Sequence, residues 1–382
     1  MSRTRRLDLR LVVLALLALA GTFVLVRSWM LIEASGRALG GPVPGLGVET
    51  IQACQVDSAI VHHSGGYASF AFNAYPLPYE LVLTPLCVLP EAAWQVLAVA
   101  LTLALALVAL RLWTDDGISA AFWLAVLSPV LVEMVQVDQI FTAIGLFGIS
   151  LAVWAQRRER WIWLGVAAAI ALIRPINAAP VLLMLALQSR PRDLLKSVAA
   201  AVAVAVAPAA VSWVLDPAWV QHYLHLLATY RIAGIPQLVA RAWGGTGLLV
   251  LSTLAAVVGG LLAGRPGPRP ANLDRAALAL ALSVVATPLQ GLYVGAMALP
   301  GIVRLASRRD GGWIAWIAVG ASWAGILLAS GLLLGPNPAA AYPFLSVIGY
   351  WLVLNAYPLA RTRARAPASP PGPLVDQVPR VH

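Results

Sequence analysis

The sequence predicts an all-α integral membrane protein, a polytopic helical bundle of about 12 transmembrane segments with short broken hairpins and external loops. Three observations carry this. Of the 382 residues 60% are hydrophobic and 11% charged, with a mean hydropathy of +0.82, which is more apolar surface than one water-soluble core can hide. The apolar residues come in runs close to the roughly 20 residues that a helix needs to cross a bilayer. The basic residues, which give a formal charge of +10, stand in short clusters between those runs, as cytoplasmic loops do against anionic headgroups. That distribution argues against a nucleic-acid surface.

Taken in order, the N-terminal MSRTRRLDLR leads into an apolar run at 11–30. It mimics a signal peptide but lacks a clear small-x-small cleavage site, so it reads as a retained first helix. Further spans are expected at 92–113, 118–136, 139–156, 197–215, 244–263, 313–334 and 340–360. Two longer runs, 161–188 and 276–304, are broken near the middle by proline, in IRPINAAP and ATPLQG. The basic clusters at 157–160, 189–196, 264–275, 307–310 and 361–365 fall on the N-terminal side only if each broken run goes in and comes back. Under that topology 21 of the 26 basic residues lie inside, and the outside holds five arginines against eight acids. Residues 1–365 then form a single polytopic membrane domain with external loops at 31–91 and 216–243, both termini cytoplasmic, and a disordered cytoplasmic tail at 366–382. The 25 arginines against one lysine, with the Ala, Gly and Pro load, point to a GC-rich bacterial genome and hence to a bacterial plasma membrane. Two cysteines, Cys54 and Cys87, supply no disulfide framework and no metal spacing; one bridge is the most they could form, and it is not expected.

Polar backbone at a proline break is tolerated at membrane depth only inside protein or beside a wet cavity. The two breaks are therefore expected to meet at a central cavity open to the outside. Around it stand the residues that could carry chemistry. Asp57 is followed by Ser58, His62, His63 and Tyr67, which could share its hydrogen bonds; beside an apolar wall such a carboxylate can act as a general base. A solvated loop aspartate would look the same. Glu33, Glu49, Glu80 and Glu91 are scattered through the same loop without neighbours that suggest a site. His62 and His63 are adjacent and have no third ligand spaced for a metal, so they read as hydrogen-bond donors or interfacial groups. Tyr75, Pro76, Pro78 and Tyr79 precede LVLTPLCVLP, which is too short to span and is expected to dip into the interface.

Arg174, in ALIRPINAAP, is the most informative charge. An unpaired arginine among apolar residues costs about 2.5–3.5 kcal/mol on insertion scales, so it needs a partner: Asp138 or Glu133, or an anionic ligand whose oxygens match the guanidinium fork. Glu133, Gln136, Asp138 and Gln139 sit at the outer end of a hairpin, and His222, His225, Tyr230, Arg231, Gln237 and Arg241 in the second external loop. There Trp219, Leu224, Leu227 and Ala228 are spaced for a helix lying along the membrane surface. No Walker A, GxGxxG, HExxH or GxSxG sequence is present.

The order of several of these features resembles glycosyltransferase family 87, integral membrane enzymes of the GT-C superfamily. Similar in plan are an early loop Asp with a tyrosine-proline step (Asp57, Tyr75, Pro76, Pro78) and a Gln-x-Asp step (Gln136, Asp138). A small-residue helix then runs into Arg174 and Pro175, followed by a loop glutamine (Gln237) and a Thr-Pro break (Thr287, Pro288). The resemblance implies a GT-C-like bundle that moves a sugar, mannose by family weight, with inversion, from a polyprenyl-phosphate donor to a lipid-linked or cell-envelope glycan acceptor on the outer face. It implies Asp57 as base; from the residues themselves, Arg174, with Arg231 and Arg241, is read as binding the donor phosphate, and His62, His63, Tyr67, Tyr75, Gln136, Asp138, Gln237 and Gln290 as lying around the substrates. Where family members carry an aromatic and a histidine after the Thr-Pro break this chain reads LQGLY, so Gln290 is expected to stand in. Lysine is common at the position of Arg174. A lipid-phosphate leaving group needs no nucleotide, so no cofactor is expected and a divalent metal is optional. The same segments would also suit a secondary transporter or flippase of an anionic or lipid-linked substrate, or a scaffold for other envelope enzymes.

Overall fold

The structure is a computed structural model that describes residues 76–115, 117–136, 139–223, 271–286, 292–307 and 312–327, with Cys54 and scattered positions in 10–22 and 250–261. Every regular element among the described residues is helical. Two short helices, α1 (Leu77–Glu80) and α2 (Thr84–Cys87), precede the long α3 (Glu91–Arg111). Then come α4 (Ala120–Val126), α5 (Pro129–Gln136), α6 (Ile140–Arg157), α7 (Trp161–Ala171), α8 (Pro175–Leu187) and α9 (Pro191–Leu215). After a gap follow α10 (Leu273–Ala286), a 3-10 stretch (Leu292–Ala298), α11 (Leu299–Ala306) and α12 (Trp313–Leu327). Three helices, within α3, α6 and α9, are long and apolar enough to cross a bilayer. The expectation of about twelve segments also counts runs that lie outside the described residues.

Proline sets most of the boundaries. It opens α8 and α9 at the first helical turn, where a missing N–H costs nothing. The run expected to span continuously at 118–136 is instead two helices, because Pro129 has no N–H to continue the ladder past Ser128. The exposed carbonyl of Leu127 at that break accepts from the Trp323 indole N–H at 2.8 Å, which closes it from α12. Helix α7 lies between α6 and α9, while α8 turns away onto α10. Small residues allow the close crossings. A Cβ on Gly148 would meet the Ala171 backbone N at 2.6 Å, and one on Gly165 the Ser197 carbonyl at 2.1 Å.

The bundle has two chemically distinct ends. At one, Arg304 Nε donates to Asp274 at 2.9 Å and its terminal nitrogen to Asp115 at 2.6 Å, with Arg157 a further 3.4 Å from Asp115. Asp274 and Arg304 stand at the start and finish of the second broken run, so that run returns to the side where it began. The first broken run does the same: the Trp161 carbonyl accepts from Ser197 Oγ at 2.9 Å, two turns into α9. The Arg304 hydrogen bond, reinforced by both arginine charges, holds the Asp115 carboxyl below its ordinary range.

At the opposite end the two cysteines are joined. Cys54 and Cys87 form a disulfide with 5.4 Å between their Cα atoms, against the expectation that they stay unbridged. The bridge staples a point of the first loop to the last turn of α2.

Candidate functional site

The break between α7 and α8 builds the site. Pro175 excludes the helical conformation at the residue before it, and Arg174 accordingly sits at φ −120°, ψ 69° as the N-cap of α8. Its side chain runs along α6. Arg174 Nη2 donates to the Thr142 hydroxyl and to Gln139 Oε1, the latter at 3.4 Å. Gln139 and Thr142 are buried, and with Gly145 they fall at i, i+3 and i+6, on one helical face. Gly145 leaves the room: a Cβ there would lie 2.8 Å from Arg174 Cγ. Gln139 and Thr142 are both neutral, and these two contacts orient the guanidinium.

An aromatic wall stands beside it. Leu77 of α1, fully buried, contacts Leu81, Trp219 and Tyr223. The Tyr79 hydroxyl donates to the Ala169 carbonyl at 3.0 Å, satisfying an acceptor in the last turn of α7. Burial pushes Tyr79 up to about 12, with Tyr223 adding to the rise. Burial also pushes Tyr223 up to about 12, while the nearby positive charge of Arg174 pulls the other way. Both phenols therefore stay protonated donors through the physiological range. Asp216, just past α9, holds His222 Nδ1 at 2.8 Å and accepts from the Ala218 N–H at 3.0 Å. Behind α1 the carboxylate of Glu80, which sequence reading left without a role, is buried at 2% exposure.

Below Arg174 the polar line continues inward. Asn177, one turn into α8, donates to Ser283 of α10 at 2.9 Å, and both are buried. This bond joins the helix that follows the first proline break to the helix that leads into the second. Among the described residues no group of three or more His, Cys, Asp or Glu side chains converges on a point that could hold a metal ion.

Of the residues expected at a site, Arg174 is placed here. Gln136 ends α5, with its side chain outside what is described, as is that of Glu133. Asp57, His62, His63, Tyr67, Tyr75, Asp138, Arg231, Gln237, Arg241 and Gln290 lie outside the described residues. The structure adds Thr142, Gly145, Tyr223 and the Asp216–His222 pair, and gives Gln139 and Tyr79 specific partners. A histidine six residues past a loop aspartate was the available signal for the pair; nothing local marks Thr142 or Gly145.

Fold and site together define a helical membrane protein with an oriented arginine and half-buried phenols at one mouth of its bundle. The model of glycosyltransferase family 87 matches residues 73–289, more than half of the 382 residues. The chain belongs to this family and is a glycosyltransferase. No curated protein matches it and no solved structure does. The matched segment contains Tyr79, Gln139, Thr142, Arg174 and Tyr223; Asp57 precedes its start.

Proposed function

We propose that the enzyme transfers a sugar, mannose, from a polyprenyl-phosphate donor to a lipid-linked or envelope glycan acceptor on the outer face of a bacterial plasma membrane, with inversion. The observation that carries this reading is the setting of Arg174. It is a guanidinium at a proline break, oriented by two neutral side chains and walled by aromatics, which suits a phosphate oxygen pair on a lipid lying alongside the bundle. In the reaction Asp57 takes the proton of the acceptor hydroxyl, whose oxygen attacks the anomeric carbon from the face opposite the phosphate. The bond from that carbon to the phosphate oxygen breaks, and the electron pair leaves with the lipid phosphate. Arg174, with Arg231 and Arg241, stabilises the charge that develops there. His62, His63, Tyr67, Tyr75, Gln136, Asp138, Gln237 and Gln290 hold the two sugars. No cofactor is required.

Two observations support the outer face. Arg157 and Arg304 meet at the other end of the bundle, as the positive-inside rule asks of a cytoplasmic surface. The disulfide lies at the site end, and disulfides persist in oxidising compartments. The test is transfer of radiolabelled mannose from polyprenyl phosphate by the purified protein. Asp57→Asn should abolish turnover, and Arg174→Ala should raise the donor KM. Absence of transfer, with substrate-dependent flux in proteoliposomes that survives Asp57→Asn, would replace the reading with a transporter.

A further inference from the structure

We infer, on the proposed reading of Arg174 as a ligand of the donor phosphate, that the Tyr223 hydroxyl is a second ligand of that phosphate, so that groups from two separate parts of the chain grip the same oxygens. Tyr223 is carried by a helical turn just past α9 that one aspartate fixes at both ends. The Asp216 carboxylate accepts from the Ala218 N–H at 3.0 Å and holds His222 Nδ1 at 2.8 Å. The Asp216 carbonyl accepts from the Trp219 N–H, and the Ala218 carbonyl from the His222 N–H, each at 3.0 Å. Tyr223 is the next residue, and together with Trp219, one turn back, it packs against the fully buried Leu77 of α1. Two residues on, the Tyr79 hydroxyl donates at 3.0 Å to the Ala169 carbonyl in the last turn of α7, the helix that ends in the break at Arg174. Helix α1 thus ties the turn bearing Tyr223 to the break bearing Arg174.

The phenol and the guanidinium lie close enough for the charge of Arg174 to act on Tyr223. They are nevertheless not bonded to each other: Arg174 Nη2 donates to Thr142 and Gln139, and among the described residues nothing accepts from the Tyr223 hydroxyl. The Tyr79 phenol, by contrast, is already engaged by Ala169. A guanidinium carries only donors, and burial, which pushes Tyr223 up to about 12, keeps its phenol a donor as well. Two neighbouring donors call for an acceptor with several lone pairs, and the oxygens of a phosphate serve both at once. Tyrosine also suits the depth of a lipid headgroup, since its ring is apolar and its tip is polar.

The experiment measures binding of polyprenyl phosphate, the leaving group with its charge fully developed, to the purified full-length enzyme in detergent. Beside it runs polyprenol, which has the same chain and no phosphate. Tyr223→Phe removes the hydroxyl and keeps the ring that packs on Leu77. It should raise the Kd for polyprenyl phosphate about tenfold, the scale of one hydrogen bond to a charged group, and leave the Kd for polyprenol within about twofold and the melting temperature unchanged. In mannose transfer kcat should fall as well, because the bond strengthens while charge builds on the leaving oxygen. Excess phosphatidylglycerol should not displace polyprenyl phosphate from the wild-type enzyme.

An unchanged Kd for polyprenyl phosphate in Tyr223→Phe, with binding weakened in Arg174→Ala, would overturn the inference and leave Arg174 in its role. So would an equal loss of affinity for polyprenol or a lower melting temperature alongside it, which marks a packing role for the ring. Displacement by phosphatidylglycerol would also overturn it, since the pair would then be a general site for lipid phosphate. Unchanged binding in Arg174→Ala would instead remove the reading of Arg174 as a phosphate ligand, and this inference with it.

Discussion

Gly145→Ala places a single methyl group against the stem of the arginine at the centre of the site. The new Cβ would lie 2.8 Å from Arg174 Cγ, 3.1 Å from Arg174 Cβ and 3.4 Å from Ile173 Cγ2. Carbon atoms rest about 3.5–4.0 Å apart, so the stem has to yield by roughly 0.7 Å or more. Two stability effects oppose one another. Alanine gains about 1 kcal/mol of helix propensity over glycine, and overpacking costs about 1–3 kcal/mol. The net is a destabilisation of no more than about 2 kcal/mol. The functional effect is larger, since a misplacement of about 1 Å can cost on the order of a hundredfold in rate. Donor kcat/KM should therefore fall by about 10- to 100-fold in the mannose transfer assay, with only a modest change in melting temperature. Two comparisons make the result specific. Gly145→Ala combined with Arg174→Ala should transfer sugar no worse than Arg174→Ala alone, because the 2.8 Å clash with Cγ disappears with the guanidinium it displaces. Gly148→Ala would put its Cβ 2.6 Å from the Ala171 backbone N, an atom that cannot rotate away, so it should lower the melting temperature in a way Gly145→Ala does not. Transfer at wild-type efficiency by Gly145→Ala would refute the claim that Arg174 must lie along α6 to work.

Three further outcomes are expected. Arg174→Lys keeps the charge but loses the planar fork that reaches Thr142 and Gln139, so donor KM should rise by about tenfold, less than in Arg174→Ala, by donor saturation kinetics. Asp115 has a folded pKa below its unfolded value of about 3.9. Its contribution is complete above that value and is lost as pH falls through the folded one, so thermal melts of wild type and Asp115→Asn should differ at pH 6 and draw together in acid, and a gap that stays constant however far the pH is lowered would contradict the ion cluster. Asn177→Leu removes the bond to Ser283 and should destabilise the bundle by about 0.6–1.7 kcal/mol, the range found for interhelical hydrogen bonds in membranes, measured by denaturant titration in micelles.

Much of the plan could be read in advance, where the cause is local. A proline fixes its own φ and disfavours helix at the residue before it, so the break at Pro175 stands out in the chain, and the cost of a charge among apolar neighbours marks Arg174. The partners of Arg174 were a different matter. Matching charge with charge points to Asp138 or Glu133, whose side chains lie outside what is described; the contacts with Gln139 and Thr142 come in addition and are selected by where α6 begins and which face it turns to the break. Pro129 was passed over inside 118–136 because apolar composition continues across it, although the ladder does not. Glu80 looked idle because its burial comes from α1 lying against α9, more than a hundred residues away in the chain. The cysteine bridge spans 33 positions and belongs to no spacing pattern, so only the assembled structure reveals it.

The ion cluster at the arginine-rich end bears on how the protein is made. Asp115 meets Arg304 across 189 positions of chain. At a synthesis rate of about 5–20 residues per second, the loop carrying Asp115 leaves the ribosome roughly 10–40 s before its partner exists. During that interval the early helices are inserted with their floor unlocked. The bundle can therefore be fastened only after α11 arrives, and a nascent chain halted before that helix should be the form that membrane quality-control proteases clear.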